Sequence, residues 1–192
     1  MIHGLVLAAG GGTRFGAPKM LSRVGGIEIV RHVVDRLAAT GMERVFVTVG
    51  QHAAEIEVAL QGAPVALVHV PHADRGLSVS LRAGVDALPE DCTGFVVALG
   101  DQPLIDPAVV RQLWDTWETS NAAAVVPVYR DSGRGNPVFF DATMRGRLGA
   151  LTGDHGARDL LVAMGDRVVE VPIDATAPRD VDTPGDLLAL GA

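Results

Sequence analysis

Apolar residues recur along this chain with two different periods, and the two periods take turns. Residues 2–8 and 94–99 are short, almost unbroken apolar runs, and 44–49 and 65–70 are similarly rich in Val; each has the length and branched-residue content of a buried strand. Between them, residues 28–39 carry Ile29, Val30, Val33, Val34 and Leu37 at helical spacing and stop at Gly41. Residues 53–60, 78–88 and 107–117 read as further helices, the last with Asp106 placed to cap its first turn. Strands alternating with helices are the pattern of a mostly parallel sheet covered on both faces. The expected fold class is therefore α/β, a three-layer Rossmann-like arrangement.

After residues 122–129, another apolar run, the regularity loosens. Residues 130–137 are polar and contain glycine, 138–140 resemble a short strand, 157–164 a helix and 167–173 a last long strand. No repeat, low-complexity tract or linker divides the chain, so residues 1–192 are expected to form one domain.

Composition narrows the class. With 192 residues, 48% hydrophobic and only 4% aromatic, the chain can bury a core made mainly of Ala, Val and Leu. A net charge of −7 argues against broad nucleic-acid binding, which needs a basic surface, so cations must be concentrated locally if they serve a site. The single Cys92 excludes an internal disulfide and a cysteine zinc cage and suits a reducing cytoplasm. No basic leader opens the chain, and no run reaches the roughly 20 apolar residues of a membrane span. His32 and His52 read as helix-surface positions, and no histidine sits in a motif beside a nucleophilic Ser or Cys.

The chemistry begins where the first strand ends, in Leu7, Ala8, Ala9, Gly10, Gly11, Gly12, Thr13, Arg14, Phe15, Gly16, Ala17, Pro18 and Lys19. Glycines let backbone N–H groups approach an anion, and Arg14 and Lys19 can neutralise phosphate, so a nucleoside triphosphate is the expected guest. It is not a Walker loop, because Lys19 is followed by Met20, nor a dinucleotide fingerprint, because Phe15 stands where a third glycine belongs. In open α/β sheets ligands lie beyond the carboxyl ends of the strands, where Gly10, the loop after Val70 and Asp101 all fall. Residues 1–120 are accordingly expected to bind the nucleotide and 121–192 to receive an acceptor.

Asp101, at the end of the run Val97-Ala98-Leu99-Gly100, is presented as a Mg²⁺ ligand, since Mg²⁺ takes one or two carboxylates beside phosphate oxygens and water; an Asp capping a turn before Pro103 is the simpler alternative. In the extended stretch Arg179-Asp180-Val181-Asp182-Thr183-Pro184, Asp180 and Asp182 project the same way. Either could be a second ligand, and Asp182 could equally cap the helix that follows. In Gly76-Leu77-Ser78-Val79-Ser80-Leu81-Arg82, a loop turns into a helix whose free N–H groups and two hydroxyls could read the edges of a base or cap the helix.

The first loop resembles, residue for residue, the Leu-Ala-Ala-Gly-x-x-x-Arg-x-Gly-x-x-Lys signature of nucleotidyltransferases with a glycosyltransferase-A-like fold. The segment from Gly76 to Arg82 is similar to the Gly-Met/Leu-Ser-x-Ser-Leu-Arg element of molybdenum cofactor cytidylyltransferases. Arg134-Gly135-Asn136-Pro137-Val138, the run from Gly153 through His155 and Arg158 to Leu161, and Asp180 to Pro184 resemble further segments of that family. Departures are Gly12 where Ser is frequent, Phe15 in place of Met and Asn136 where His is common.

The resemblance implies transfer of CMP from CTP to the phosphate of molybdopterin, the cofactor of xanthine dehydrogenase-type hydroxylases, with Mg²⁺ on Asp101 and Asp182. Arg14, Lys19 and Asp101 would be catalytic. Leu7, Ala8, Ala9, Gly10, Gly11, Gly12, Gly76, Ser78, Ser80 and Arg82 would join them around the nucleotide, and Asn136, His155 and Arg158 would hold the acceptor. Rival outcomes are guanylyl transfer to the same cofactor, cytidylyl transfer to a sugar or polyol phosphate, and a non-catalytic carrier of molybdopterin dinucleotide. No nucleic acid and no membrane are expected among the partners.

Overall fold

The computed structural model describes every residue except 11–14, 16–17, 154–156 and 192. The first half alternates as the sequence pattern requires: β1 (Ile2–Leu7), the small hairpin β2 (Arg23–Val24) and β3 (Ile27–Glu28), α1 (Ile29–Ala38), β4 (Arg44–Val49), α2 (Ala53–Ala59), β5 (Val65–His69), α3 (Leu77–Ala87), β6 (Gly94–Leu99) and α4 (Pro107–Thr119). Then come β7 (Ala124–Tyr129), β8 (Gly133–Arg134), β9 (Val138–Asp141), α5 (Arg145–Gly149), α6 (Arg158–Ala163), β10 (Val168–Ile173) and α7 (Pro184–Ala189).

The main sheet has the order β10-β7-β9-β6-β1-β4-β5, with β8 paired to β7. The pairs β5–β4, β4–β1, β1–β6 and β7–β10 are parallel. β9 lies antiparallel between β6 and β7 and joins the two halves of the chain into one sheet. Alternation along each strand divides the core between two faces. Val6 of β1, Ala8 just beyond it, Val45 and Val47 of β4 and Phe139 of β9 pack with Val33, Leu37, Ile56 and Leu113. Leu5, Leu7, Phe95, Val138 and Phe140 point the other way, against Leu81, Val85, Leu148 and Leu161.

Asp106 caps α4 as its position suggests, its carboxylate accepting from the Ala108 N–H at 2.8 Å. The segment at 142–149, unmarked in the sequence, forms a 3₁₀ turn and α5, and the Arg145 guanidinium donates to the carbonyls of Val85, Leu88 and Pro89 at the end of α3. Two histidines differ from expectation. His32 is half-buried with its Nε2 2.8 Å from the Val24 carbonyl oxygen, and His52 precedes α2, its ring 3.4 Å from the Glu55 carboxylate.

His3 is the polar exception in the core. Its ring is buried edge-on to Phe46 at 5.5 Å, and neither ring nitrogen has a partner among the described residues. Burial lowers its pKa from the ordinary 6.5, so the ring is kept neutral. As pH falls through 6.5 the unfolded chain takes up a proton that the folded chain resists, so stability is full above that pH and declines below it. We expect His3→Leu to flatten this acid-side decline, by up to one proton's worth of slope. Urea midpoints between about pH 5 and about pH 8 measure it, and an unaltered slope would show that His3 does not titrate there.

Candidate active site

The site is built where β1 leaves the sheet. The Ala8 N–H donates to Thr48 Oγ1 at 3.1 Å, and the same hydroxyl donates back to the Val6 carbonyl at 3.3 Å, so a buried β4 side chain replaces the ladder bond that β1 can no longer make. Glycine follows both flanking strands because the departing chain passes close by. A Cβ on Gly50 would stand 2.7 Å from the Ala9 carbonyl oxygen, and one on Gly100 would stand 2.9 Å from the Ala8 Cβ. Phe15 is buried in a small cluster with Val24, Ile29 and Val181, which ties the glycine loop to the segment carrying the second acid. Gly11, Gly12 and Arg14, like His155, lie outside the described residues.

Lys19 opens the 3₁₀ turn Lys19–Leu21, and its ammonium donates to Asp101 Oδ2 at 2.8 Å and to Asp182 Oδ1 at 3.0 Å. Its side chain is only 11% exposed, against 61% for Asp182. Burial works to lower the Lys19 pKa, but the hydrogen bonds and charges of Asp101 and Asp182 together outweigh it, and the group stands above the ordinary lysine value. It is therefore a firm cation facing two acids.

Geometry separates the two aspartates that the sequence left open. Asp182 shares Lys19 with Asp101, whereas Asp180 Oδ1 accepts from the Gln102 Nε2 at 2.7 Å. Burial raises the Asp180 pKa above the ordinary carboxylate value. Nor is Asp182 the helix cap. Thr183 takes that place in a reciprocal capping box with Asp186, whose carboxylate also accepts from the Asp182 N–H at 3.1 Å.

A cleft of about 910 Å³ opens at this sheet edge, lined among others by Leu7, Ala9, Gly10, Lys19, Gly76, Ser80 and Asp101. Gly76 precedes α3 at φ +113°, a conformation that glycine adopts without strain. Two residues of the same element do not reach the cleft lining. Ser78 is buried, its N–H donating to the Gly153 carbonyl at 3.3 Å, and the Arg82 guanidinium donates to the Leu151 carbonyl at 3.2 Å. Helical periodicity explains the difference, because residues 78 and 82, four apart, share one face of α3, and Ser80 lies on roughly the opposite face. Ser80 alone of the three lines the cleft.

Gly50, Gln51, His72 and Asp74 also line it, and residue-by-residue motif reading missed them. The parallel neighbour β4 ends beside β1, so the residues after Val49 could have been found from the carboxyl-end rule alone. A second cavity of about 400 Å³ holds Asn136 and Arg158 and shares Leu7, Leu77 and Leu99 with the first. Arg134, part of the same motif but given no role from it, lines it while pairing with Glu170 at 2.6 Å. The buried Tyr129 phenol, its pKa pushed up to about 12 by burial, donates to the Asn136 carbonyl at 2.8 Å and fixes that loop.

Asp101 and Asp182 fit the donor set of a hard divalent cation whose remaining ligands are phosphate oxygens and water. No cluster of three or more His, Cys, Asp or Glu that could cage a metal by protein ligands alone occurs among the described residues. No described helix is long and apolar enough to cross a membrane.

Strand order, glycine loop and converging acids define an α/β protein of the nucleotidyltransferase-like class. Within it, the chain belongs to the MobA-like NTP transferase family, whose domain matches residues 4–168. It is similar to Rv0371c of Mycobacterium tuberculosis H37Rv, at 32% identity over 98% of this chain and 96% of that one, with a TM-score of 0.86. Rv0371c also has a crystal structure in complex with manganese. A nucleotidyl transferase from Methanothermobacter, Mth528, is 26% identical with a TM-score of 0.81, covering 99% of this chain and 95% of that one. Among curated relatives, the bifunctional IPC transferase and DIPP synthase of Rubrobacter xylanophilus is 38% identical over 69% of this chain and 31% of its own length. The bifunctional protein GlmU of Clavibacter sepedonicus is 38% identical over 57% of this chain and 23% of its own. The chain thus spans about a quarter to a third of the length of these curated relatives.

Lys19→Ala should lower catalytic efficiency with a nucleoside triphosphate by about tenfold to over a hundredfold, as for loss of a charge-assisted contact of about 1.5–3 kcal/mol. Arg23→Ala is the control, because Arg23 is spent on Glu28 across the β2–β3 hairpin at 2.7 Å. Equal losses in steady-state assays of the two variants would assign nucleotide recruitment to the general field instead of to Lys19. Asp101→Asn, which keeps the shape and removes the charge, should leave the circular dichroism spectrum intact and abolish metal-dependent turnover.

Proposed function

We propose that this protein transfers CMP from CTP to the terminal phosphate of molybdopterin and releases pyrophosphate. The observation that carries the reaction type is the convergence of Lys19, Asp101 and Asp182 beside the Gly10 loop, at the edge of a cleft large enough for a nucleotide. The acceptor phosphate attacks the α-phosphorus, the bond from that phosphorus to the bridging oxygen breaks, and the electron pair leaves on pyrophosphate. A phosphate monoester with a second pKa of about 6 is largely ionised at neutral pH, so the chain needs no strong general base. Its task is alignment and charge neutralisation.

Lys19, held protonated, meets phosphate charge, and Arg14 is assigned the same task from the motif. Leu7, Ala9 and Gly10 line the cleft, and Ala8, buried in the core, is assigned to the nucleotide loop from the motif; Gly11 and Gly12 are proposed to complete that loop around the phosphates. Mg²⁺ would be held by Asp101 and Asp182 and would supply Lewis-acid charge to the triphosphate. Gly76 and Ser80 are proposed to face the base, with cytosine favoured by the similarity of that element to the cytidylyltransferase motif.

Support for the acceptor comes from the second cavity. Its floor of Leu81, Val97, Val138 and Phe140 suits a flat heterocycle, Asn136 offers an amide to a ring edge, and Arg158 offers a cation to the anionic tail. His155 is retained as a candidate from the same motif. The cofactor so made would serve a hydroxylase of the xanthine dehydrogenase type, in the cytoplasm, where the buried free Cys92 stays reduced.

Incubation with Mg²⁺ or Mn²⁺, each nucleoside triphosphate and molybdopterin, with pyrophosphate measured, tests the whole reading. CTP should exceed GTP by at least about a hundredfold, since a wrong base leaves directed hydrogen bonds unmade. Preference for GTP would move the protein to the guanylyl branch, turnover with sugar or polyol phosphates would replace the acceptor, and tight molybdopterin dinucleotide binding without pyrophosphate would make it a carrier. Arg158→Ala should raise the molybdopterin concentration for half-maximal rate and leave the CTP constant nearly unchanged. A parallel loss in both would put the acceptor elsewhere.

A further inference from the structure

Gln102 follows Asp101 directly, and its side chain is buried although it is polar. Its backbone is fixed in the turn after β6. The Gln102 N–H donates to the Leu99 carbonyl at 3.3 Å, and the Gln102 carbonyl accepts from the Ile105 N–H at 3.4 Å. The side chain makes one bond, from Nε2 to Asp180 Oδ1 at 2.7 Å, while its Oε1 is buried with no partner among the described residues. A position needing only buried volume would be better served by Leu or Met, which leave no orphaned acceptor. The amide is therefore held there by what it grips.

What it grips is the segment that delivers the second acid. Asp180 is tied to Gln102, the Val181 N–H donates to the Asp101 carbonyl at 2.9 Å, the Val181 side chain is fully buried, and the Asp182 N–H is held by Asp186. Residues 101 and 102 thus clasp residues 180 and 181 on consecutive positions. Asp182, with 61% of its side chain exposed, has little packing of its own to aim it. We infer that Gln102 is a positioning residue which, through Asp180, sets the place of Asp182 opposite Asp101 for the divalent cation and nucleotide. This rests on the proposed metal-dependent nucleotidyl transfer, but its test reads metal binding as well as rate. Polar groups that orient metal ligands from behind are worth about ten- to a hundredfold in metal affinity.

The experiment titrates Mn²⁺ into the full chain with CTP present, by electron paramagnetic resonance of free Mn²⁺, alongside thermal unfolding without metal and steady-state rates. Gln102→Leu should raise the half-saturating Mn²⁺ concentration by about tenfold and lower kcat more than it raises the KM for CTP. Gln102→Glu should be worse, since two carboxylates then face each other. Combining Gln102→Glu with Asp180→Asn reverses donor and acceptor and should restore Mn²⁺ affinity to within about threefold of wild type, which a role in packing alone would not produce. Mn²⁺ affinity in folded Gln102→Leu equal to wild type would overturn the inference, as would failure of the reversed pair to recover affinity. Should Gln102→Leu not fold, Gln102→Glu alone against the reversed pair carries the same comparison, since loss in the first and recovery in the second support the inference and equal affinity in both overturns it. Failure of the wild-type chain itself to bind Mn²⁺ with CTP would instead sink the functional proposal beneath it.

Discussion

One ammonium group holds this site together. Lys19 bonds Asp101 and Asp182, 82 and 163 residues further along the chain, and without it two carboxylates would face each other at the end of the sheet. Like charges at that range disfavour each other's ionised form, whereas a cation between them favours both. The surrounding architecture supplies what this requires. β6, paired along its whole length with β1 and over Gly94–Val97 with β9, delivers Asp101, the 3₁₀ turn Lys19–Leu21 carries the lysine inward, and Val181 buries itself so that its successor reaches the cation.

The two cavities share Leu7, Leu77 and Leu99 in their linings, residues from β1, the start of α3 and the end of β6. All three belong to regular elements, so the lining common to the two cavities is built on the scaffold and not on a loop. For the proposed transfer, these shared residues would lie between donor and acceptor. Polar residues on the second side, Asn136 and Arg134, come from the stretch between β7 and β9, where Tyr129 and Glu170 anchor them.

Much of this was legible in the sequence, for physical reasons. β1, β4, β5 and β6 are apolar on both faces because helices cover both, and α1 shows its buried stripe because one side faces solvent. The convergence of Gly10, Asp101 and the loop after Val70 followed from strand direction alone. Hidden from it was whatever depends on the partner of a residue and not on its own period. Asp180 and Asp182 look alike in an extended segment, and their distant partners divide them, Gln102 bonding the first and Lys19 the second. Ser78 and Arg82 were placed at the nucleotide by the motif although the helix start was read within one residue, because their shared face turns to the carbonyls of Gly153 and Leu151, partners that the motif does not show. The α5 segment was invisible because its short helix is held by Arg145 reaching the end of α3, not by a stripe of its own.

The antiparallel strand β9 has a consequence for how the chain is made. β6 finds one neighbour, β1, early, but its other side stays bare until residues 138–141 have been synthesised and slipped in beside it. For that interval the growing protein carries an open, apolar strand edge, Gly94–Val97, which is the kind of surface that recruits strands from other molecules. The halves of this chain are thus not separable units. Cutting between α4 and β7 would expose that edge permanently, and the nascent chain passes through the same state each time it emerges from the ribosome.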